Sequence, residues 1–360
     1  MTTSDIVTLT VNGNDYSGWK AVRIEAGIER ISRSFDVSIT ISWPGAPTDT
    51  PRIQKGDACV VKIGADVVCT GYVDATPISY DASGVTLGIK GRSKTGDLVD
   101  CAATGAAQFR GLAAEAVVEK LAGQYGLSVI NQTVTGAVIT DHQIQQGESV
   151  FESLDRIMKA RQVLMTDDGS GNVVITQAGH GGNAVDSLAV GVNIFSASAN
   201  FDYSDVYTNY QVKGAKSGTD DSFGASAAQS VGNATSAVLA RQRTLIIKQT
   251  GQADSGTCQQ RADFEARYRA AKAQEARYKV IGWRQSDGSL WLPNLTVRID
   301  DPVMNVHASL LIGEVIYTLD ESGQFAELLV VPPDAFLTDP QDAQVKTGKK
   351  KKKSIDLPGW

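Results

Sequence analysis

A change from β-rich to helical sequence lies in GIKGRSKTGDLVDC, residues 88–101. Its glycines, Lys94 and Thr95 invite comparison with a phosphate-binding loop. That motif needs four residues between its two glycines and Lys-Ser/Thr directly after the second. Here Gly88 and Gly91 enclose only two residues, and Lys94 lies three positions past Gly91. The spacing excludes a nucleotide loop and favours a structural role, the exit from a β unit into a helical one.

Bulk composition describes a soluble globular protein with room for two or three domains. The chain has 360 residues, of which 42% are hydrophobic and 21% are charged, an ordinary balance for such proteins. No window approaches the ~18 uninterrupted apolar residues of a membrane helix, so we predict no membrane span. The first ten residues, MTTSDIVTLT, lack the basic region and apolar core of a signal peptide. We therefore expect assembly in a cytoplasm.

The four cysteines predict neither a metal site nor a disulfide framework. Cys59, Cys69, Cys101 and Cys258 form no CxxC pair and have no histidine at zinc-ligand spacing. Cys59 and Cys69 lie in apolar, strand-like runs, where a free cysteine packs as a small hydrophobe. A disulfide between these two stays open if their strands pair, but the lack of a secretory signal disfavours it.

Charge is distributed unevenly along the chain. The net charge is −6, but residues 346–360 contain six lysines and one aspartate, a balance of +5, so the first 345 residues carry −11. An acidic body does not suit a nucleic-acid reader, which normally presents a basic face. It suits a surface that lets a polyanion pass without binding it.

The first 91 residues predict a β unit. Apolar and polar side chains alternate from Phe35 to Ser42, which is the period of a half-buried strand. Further strand-like runs cover residues 7–11, 57–63, 67–74 and 84–90. Short strands separated by Gly, Asn and Pro indicate a barrel or a sandwich.

Helical patterns follow, and strands then return. Residues 111–126 and a segment opening at Glu148-Ser149-Val150 have the apolar spacing of helices, and residues 163–175 read as a hairpin. Residues 256–279 predict a long polar helix whose apolar positions are mostly alanine, which places it on a surface. The strands that return are predicted at 279–284, 290–299, 308–319 and 325–331. The predicted fold class is mainly β with an α+β insertion.

No group of residues predicts catalysis, a metal site or a cofactor. His142, His180 and His307 stand far apart, with no GxSxG or similar nucleophile motif beside them, and we interpret them as surface or loop residues. A calcium loop starting at Asp167 would need Glu at its twelfth position, which is Ala178. A hairpin turn is therefore favoured there. We predict no enzyme activity and no cofactor.

Five segments together resemble a known family through their order and spacing. They are NDYSGWKAVRIEAGIERISRSFDVSI (14–39), VVCTGYVDATPISYDASGVTLGIKGRSKTGDLVDCAA (67–103), ESVFESLDRIMKARQVLMTDDGSGNVVI (148–175), YQVKG (210–214) and IGWRQSDGSLWLPNLTVRIDDP (281–302). The chain resembles the baseplate hub proteins of Mu-like contractile-tailed bacteriophages, the tail protein D or late-control family. The resemblance covers residues 5–336 and leaves out the Lys-rich tail.

The resemblance implies a homotrimer in which each subunit contributes two tube-like β-barrel domains, with small helical or α+β domains beside them. Such a ring joins the sixfold tail tube to the threefold central spike, and DNA passes through its lumen during ejection without specific binding. The implied partners are further copies of the chain, the central spike protein, the tail tube or tube-initiator protein and other baseplate proteins. The implied location is the virion.

The resemblance also assigns residues to places in this architecture. The expected domains are a first β-barrel at 1–100, an α/β middle domain at 101–180, a second β-barrel at 181–255 and 279–336 with an inserted helix at 256–278, and a Lys-rich tail at 337–360. By analogy, Gly91 and Arg92 close the first barrel, Asp97 and Asp100 lead into the helical unit, and Trp283, Trp291 and Pro293 lie at the hairpin of the second barrel. Core packing and turns are the favoured interpretation of these residues, and interface contacts are the alternative.

Three alternatives stay open. The first is the hub portion of a type VI secretion spike, although such chains normally continue into a β-helical spike. The second is a tail-associated cell-wall hydrolase, which would need two carboxylates ~5–10 Å apart in a cleft. The third is a DNA-binding protein that acts through its lysine run.

The tail is a candidate partner-binding segment. It contains five consecutive lysines and ends in a tryptophan. The candidate residues are Lys349, Lys350, Lys351, Lys352, Lys353 and Trp360. The run could bind DNA or an acidic protein surface, or it could be solvated without a partner.

Deletion of residues 346–360 separates these readings of the tail. If the lysines bind DNA, the deletion lowers the affinity for duplex DNA and flattens its salt dependence, because fewer counterions are released from the phosphates. We expect an unchanged affinity, as for a hub whose tail contacts protein. Fluorescence anisotropy with a labelled duplex at several salt concentrations distinguishes the two results.

Overall fold

The computed structural model describes residues 5–42, 53–82, 84–215 and 230–340. The candidate tail residues Lys349 to Lys353 and Trp360 lie outside the described residues, so their assignment stays a prediction. Within the described part, no helix is long and apolar enough to cross a membrane.

The protein is mainly β, which confirms the predicted fold class. The described strands are β1 (Val7–Val11), β2 (Asn14–Tyr16), β3 (Ala21–Gly27), β4 (Ser34–Ser42), β5 (Ala58–Ile63), β6 (Asp66–Ala75), β7 (Ile78–Tyr80), β8 (Gly84–Ser93), β9 (Gln108–Phe109), β10 (Val129–Asn131), β11 (His142–Gln143), β12 (Leu164–Asp167), β13 (Val173–Thr176), β14 (Leu188–Ala189), β15 (Ile194–Ala199), β16 (Asn209–Ala215), β17 (Ser230–Thr235), β18 (Thr244–Gln252), β19 (Ala276–Ile281), β20 (Thr296–Asp301), β21 (Val306–Asp320) and β22 (Gly323–Val331). The α-helices are α1 (Gly96–Asp100), α2 (Ala114–Ala122), α3 (Val150–Arg161) and α4 (Ser255–Lys272), and 3₁₀ turns cover Gly123–Tyr125 and Pro333–Phe336.

One large sheet joins the two ends of the chain. Its strand order is β15-β19-β22-β21-β3-β4-β8-β6-β5-β1-β2, with β7, β14 and β20 attached at the side. The link between the N-terminal and C-terminal β units is the antiparallel pairing of β3 with β21. Buried side chains of both units form one core, including Ile24, Phe35, Tyr278 and Tyr317. The two β units predicted from the sequence therefore share a sheet and a core.

The α+β unit lies between them in sequence and has its own core. Helices α2 and α3 pack with the small sheet β10-β13-β12 around Leu121, Leu154 and Ile175. Helix α3 begins with a capping box, in which the Ser149 side chain accepts from the backbone N–H of Glu152 and the Glu152 carboxylate accepts from that of Ser149. The predicted hairpin is confirmed, with β12 and β13 joined by the turn at Asp168.

The region before α4 forms a separate small sheet. The prediction grouped residues 181–255 with the second barrel, but strands β16, β17 and β18 pair with one another in the order β17-β16-β18. Helix α4 covers this sheet through Cys258 and Ala262. The ranges given above for the domains stay a prediction.

The largest differences from the predicted element boundaries lie at the end of α4 and at the start of β20. The helix expected over 256–278 ends at Lys272, because Ala276, Tyr278 and Val280 alternate toward the core and form β19. The strand expected over 290–299 begins only at Thr296. Asn294 has a left-handed φ of 71°, which interrupts extended backbone just before that strand.

All four cysteines are free thiols. The strands of Cys59 and Cys69 do pair, but their partners across the ladder are Gly71 and Val61, so the two thiols are not opposite one another. Burial raises the pKa of Cys59 to about 12, so this thiol stays protonated and packs as an apolar group.

Gly91 is required by close packing within the first β unit. It pairs with Phe35 across β4 and β8. A Cβ added to Gly91 would lie 2.2 Å from the carbonyl oxygen of Tyr72 and 2.6 Å from Cζ of the Phe35 ring. The lack of a side chain lets the buried Phe35 ring lie against β8.

The substitution Gly91→Ala is expected to destabilise the fold by about 3 kcal/mol, because the new methyl group overlaps a backbone carbonyl that cannot move freely. Denaturant unfolding measures the loss. The matched control is Gly123→Ala, where an added Cβ meets nothing within 4 Å. Equal stability of the two variants would contradict the packing role of Gly91.

Candidate functional site

Three arginines among the described residues connect separate structural elements through polar contacts, and we call these contacts joints. The first such joint is a buried ion pair between Arg33 of the first β unit and Asp167 at the end of β12. Arg33 donates from its backbone N–H to Oδ2 at 3.0 Å and from Nε to Oδ1 at 3.2 Å. It also donates from Nη1 to the carbonyl oxygen of Val68. One side chain thus connects β6 to the α+β unit.

The environment of Asp167 opposes its charge, and its contacts compensate. Burial raises the pKa of Asp167, whereas the nearby Arg33 guanidinium and the Arg33 backbone N–H lower it. The hydroxyl of Thr95 also reaches Oδ2, at 3.4 Å. The joint therefore includes Thr95 from the 88–101 stretch.

The turn that follows Asp167 docks on the first β unit. The Thr70 hydroxyl donates to the carbonyl oxygen of Gly169 at 2.9 Å. A Cβ at Gly169 would lie 2.1 Å from the carbonyl oxygen of Val67, so only glycine allows this approach. Asp168 accepts from the backbone N–H groups of Ser170 and Asn172 and closes the turn. These contacts account for the Asp-rich loop as a structural turn.

Arg92 forms the second joint. Its Nε donates to Asp74 at 2.8 Å and its Nη2 donates to Asp100 at 2.5 Å, so it ties β6 to helix α1. The hydrogen bond from Arg92 lowers the pKa of Asp100. Asp97 lies in the first turn of α1, and its pKa is raised by burial and by the neighbouring Asp100. The predicted residues Arg92 and Asp100 are therefore in direct contact, at the exit from the first β unit.

Arg284 forms the third joint, between the second β unit and the first. It donates to Asp5 at 3.1 Å, to Asp66 at 2.7 Å and to the carbonyl oxygen of Ile63 at 2.9 Å. All three partners belong to the N-terminal β unit, although Arg284 lies far along the chain. It is 17% exposed at its side chain, so the contact is partly shielded from water.

The predicted tryptophans lie inside the fold beside Arg284. Trp283 donates from Nε1 to the carbonyl oxygens of Thr318 and Phe325 and packs edge-on against Tyr317. The carbonyl of Trp291 accepts from the Tyr317 hydroxyl. Pro293 is half-buried in the turn that precedes β20. Both tryptophans are buried, so they pack the core in the single chain, and any interface role stays a prediction.

The three histidines lie in different parts of the described structure and have different partners. His142 was interpreted as a surface or loop residue, but it lies in the short strand β11 and is buried, with Nε2 at 2.8 Å from the Ser153 hydroxyl of α3. Burial lowers the pKa of His142. His180 and His307 contact Gln132 and Asp300. Among the described residues, no group of three His, Cys, Asp or Glu side chains could hold a metal ion.

Sequence reasoning missed Arg33, Asp167 and Arg284 as joint residues. Asp167 was considered only as the start of a metal loop. A usable signal was present, because Asp167 ends the run VLMT and its charge would be costly in such an apolar context without a partner. The identity of the partner was not readable, since Arg33 lies in another unit.

A mainly β chain with two β units on one sheet and a small α+β unit has the architecture of a phage tail protein. The 43 kDa tail protein of prophage MuSo2 from Shewanella oneidensis superposes with a TM-score of 0.83, at 31% identity over 93% of this chain and 99% of that one. The tail protein from Neisseria meningitidis MC58 gives a TM-score of 0.76 at 20% identity over 94% and 98%. A type VI secretion component from E. coli shares the fold alone, with a TM-score of 0.53 at 10% identity over 90% and 76%.

Sequence comparison specifies the family. Residues 6–93 match the N-terminal domain of Mu phage baseplate assembly protein GpP-like proteins, residues 95–177 the second domain of baseplate hub protein gp44-like proteins, and residues 254–339 the fourth domain of GpP. The baseplate hub protein gp44 of Escherichia phage Mu is 30% identical over 99% of this chain and 94% of its own length. The chain belongs to the baseplate hub protein family of Mu-like phages, and its place is the tail baseplate of a virion.

Loss of the Asp167 charge is expected to destabilise the protein strongly. Asp167→Asn leaves the Arg33 guanidinium buried without its counter-charge, which costs about 3–5 kcal/mol. Chemical denaturation measures the loss. Asp141→Asn is the matched control, because Asp141 pairs with Arg110 on an exposed surface, and it should change the unfolding midpoint little. Similar losses of unfolding free energy in both variants would contradict the proposed contribution of the buried Arg33–Asp167 pair.

Proposed function

We propose that three copies of this chain form a ring that joins the tail tube to the central spike and lets DNA pass. The observation that carries the proposal is the match to a baseplate hub protein over nearly the whole chain. The continuous sheet supports it. Two β units per chain give six in a trimer, which provides sixfold contacts for a tube on a threefold body.

Among the strands that the structure describes, the sheet ends at β15, and this edge is suited to contact with another copy. Strand β15 pairs with β19 on one side and is the last strand of the order. It contains no charged residue and no proline, the devices that usually protect an edge strand. Phe195 is 56% exposed, and Ile281 on β19 is 69% exposed. We propose that this edge contacts the neighbouring copy in the ring.

The proposal assigns no chemical step to the chain. Its relatives are structural baseplate proteins, and the polar groups described above serve as joints between units. The proposed partners are two further copies of the chain, the central spike protein, the tail tube or its initiator, and other baseplate proteins. DNA is proposed to pass through the ring unbound.

A second candidate is the hub portion of a type VI secretion spike. The shared fold with the secretion component favours it, but the identity is low and supports the fold alone. Two observations separate the candidates. Copurification with a separate phage-type spike protein favours the phage hub, whereas a β-helical spike fused in the same reading frame favours the secretion hub.

Mass measurement tests the ring. Native mass spectrometry of the full chain, alone and mixed with the spike protein of the same phage, should give a species of three 38.2 kDa chains. A species that stays a single chain and never joins the spike would overturn the hub function.

The variant Phe195→Asp is expected to shift the trimer toward single chains, because it places a charge in the proposed contact. Val134→Asp is its control, since Val134 is 84% exposed in the α+β unit, away from the sheet edge. The same native mass measurement reads both variants. If Phe195→Asp forms trimers as well as the Val134→Asp control does, the contact between copies does not lie at this edge.

A further inference from the structure

A cleft of about 610 Å³ separates helix α3 from helix α4, and none of the three joints lies in it. One wall comes from the α+β unit, and the other comes from α4 and the segment that follows β22. Most of the lining is apolar or aromatic, including Phe151, Met158, Phe264, Tyr268 and Phe336. The cleft is therefore a groove between two units of the chain.

The α4 wall of the cleft is aromatic. Phe264 and Tyr268 stack with their ring centroids 5.2 Å apart and their planes tilted by 20°. The Arg261 guanidinium lies 5.5 Å from the centre of the Phe264 ring, and the Lys272 ammonium lies 5.9 Å from that of Tyr268. Both rings are half-buried, so part of each stays open to a further side chain. Aromatic surfaces in a groove take up apolar anchors of a docking segment.

The described chain ends inside this cleft. The residues that follow the last 3₁₀ turn line it and contact both walls. The Thr338 hydroxyl donates to the carbonyl oxygen of Lys159 on α3 at 3.5 Å, and Asp339 forms an ion pair with Arg261 on α4. Pro340 is buried. The rest of the chain therefore leaves from between the two helices.

The 20 residues after Pro340 contain one apolar stretch. Their sequence is QDAQVKTGKKKKKSIDLPGW, in which the lysine run separates a mostly polar first part from SIDLPGW at 354–360. Ile355, Leu357 and Trp360 are large apolar side chains of the kind that anchor a segment in a groove. The lysines differ from them, because a charged ammonium group is best placed in water.

The length of the tail allows this stretch to return to the cleft. Ile355 lies 15 residues beyond Pro340, and such a stretch spans up to ~50 Å when fully extended. Because it starts in the cleft, its apolar end meets the cleft at an effective concentration on the order of millimolar. Binding of the isolated segment with a Kd of roughly tens of micromolar would then fill the cleft in most chains.

We propose that Ile355, Leu357 and Trp360 dock in the cleft between α3 and α4 of their own chain. The occupant is chosen by three observations: the described chain ends in the cleft, the remaining length suffices to return, and the apolar stretch matches the aromatic wall. Docking confines the lysine run to the mouth of the cleft, which gives a place to a motif that the hub function leaves unexplained. The proposal does not depend on the ring, since all its contacts lie within one chain.

Fluorescence anisotropy of a labelled peptide of residues 341–360 tests the docking. The peptide is titrated with the chain truncated after Pro340 and with the full chain. We expect the truncated chain to bind with a Kd on the order of 10–100 µM, the range left to three apolar anchors after the peptide loses its freedom. The full chain should bind about tenfold more weakly or less, because its own segment fills the cleft. Equal affinities, or no binding to the truncated chain, would overturn the proposal.

Matched variants separate the cleft from unspecific attraction between the lysines and the acidic body. A peptide with Ile355→Ser, Leu357→Ser and Trp360→Ser keeps every lysine and should bind on the order of tenfold more weakly. In the truncated chain, Phe264→Ser should weaken binding of the unmodified peptide. Phe201→Ser should not, because Phe201 is 38% exposed and lies outside the cleft lining. Equal binding of both peptides would assign the attraction to the lysines and overturn the proposal.

A disulfide test covers the case in which the truncated chain or the Phe264 variant does not fold. Lys159→Cys, at a side chain that is 50% exposed on α3, is combined with Gly359→Cys and Cys101→Ser in the full chain. A disulfide needs Cα atoms within about 7 Å, so docking should link the two positions within one chain under mild oxidation. Arg110→Cys replaces Lys159→Cys in the control, because Arg110 is 66% exposed and does not line the cleft. Non-reducing electrophoresis reads the products.

The pattern of cross-links decides between the possible occupants. A link within one chain that forms on the order of tenfold faster in the Lys159 pair than in the Arg110 pair supports the proposal, because docking raises the local concentration at the cleft alone. A link between two chains would show that a second copy supplies the segment and would overturn the proposal. Equal rates in the two pairs would overturn it as well.

Discussion

The ladder between β3 and β21 is the contact on which the rest of the architecture depends. It pairs Glu314–Leu319 with residues 22–27, joining opposite ends of the chain through main-chain hydrogen bonds. Without it, two strands would expose unpaired N–H and C=O groups in the middle of the protein, a cost that folded proteins avoid. With it, the apolar sides of both β units merge into one core.

The polar joints have a different task from the ladder, because they fix orientation between units. Arg33 and Asp167 hold the α+β unit against β6, and Arg284 holds the second β unit against the N-terminal strands. Buried or half-buried ion pairs add little net stability, but they penalise misplacement strongly, since a displaced partner leaves a charge uncompensated. These contacts therefore fix the angles between the units of the chain.

The resemblance to a phage hub could be read from the sequence because it depends on ordered local segments. Elements with strong local signals were equally readable. The alternation from Phe35 to Ser42 predicted a strand, and Glu148-Ser149-Val150 predicted the start of α3. The C-terminal end of α4 was misplaced, because alanine-rich sequence is compatible with helix while burial of Tyr278 and Val280 decides for a strand. The buried position of His142 was missed for the same reason, since burial depends on neighbours from another element.

The sequence by itself determined the mainly β class, the α+β insertion, the exclusion of a phosphate loop at 88–101 and the family resemblance. These follow from periodicity, spacing and motif order, which are local properties of the chain. Only the tertiary structure decided that the two β units share a sheet and that Arg92 bridges Asp74 and Asp100. It also decided that the missing side chain of Gly91 leaves space for the Phe35 ring. Each of these contacts joins residues from different elements. Strand pairing and the burial of charge depend on which surfaces meet, and no local pattern records that.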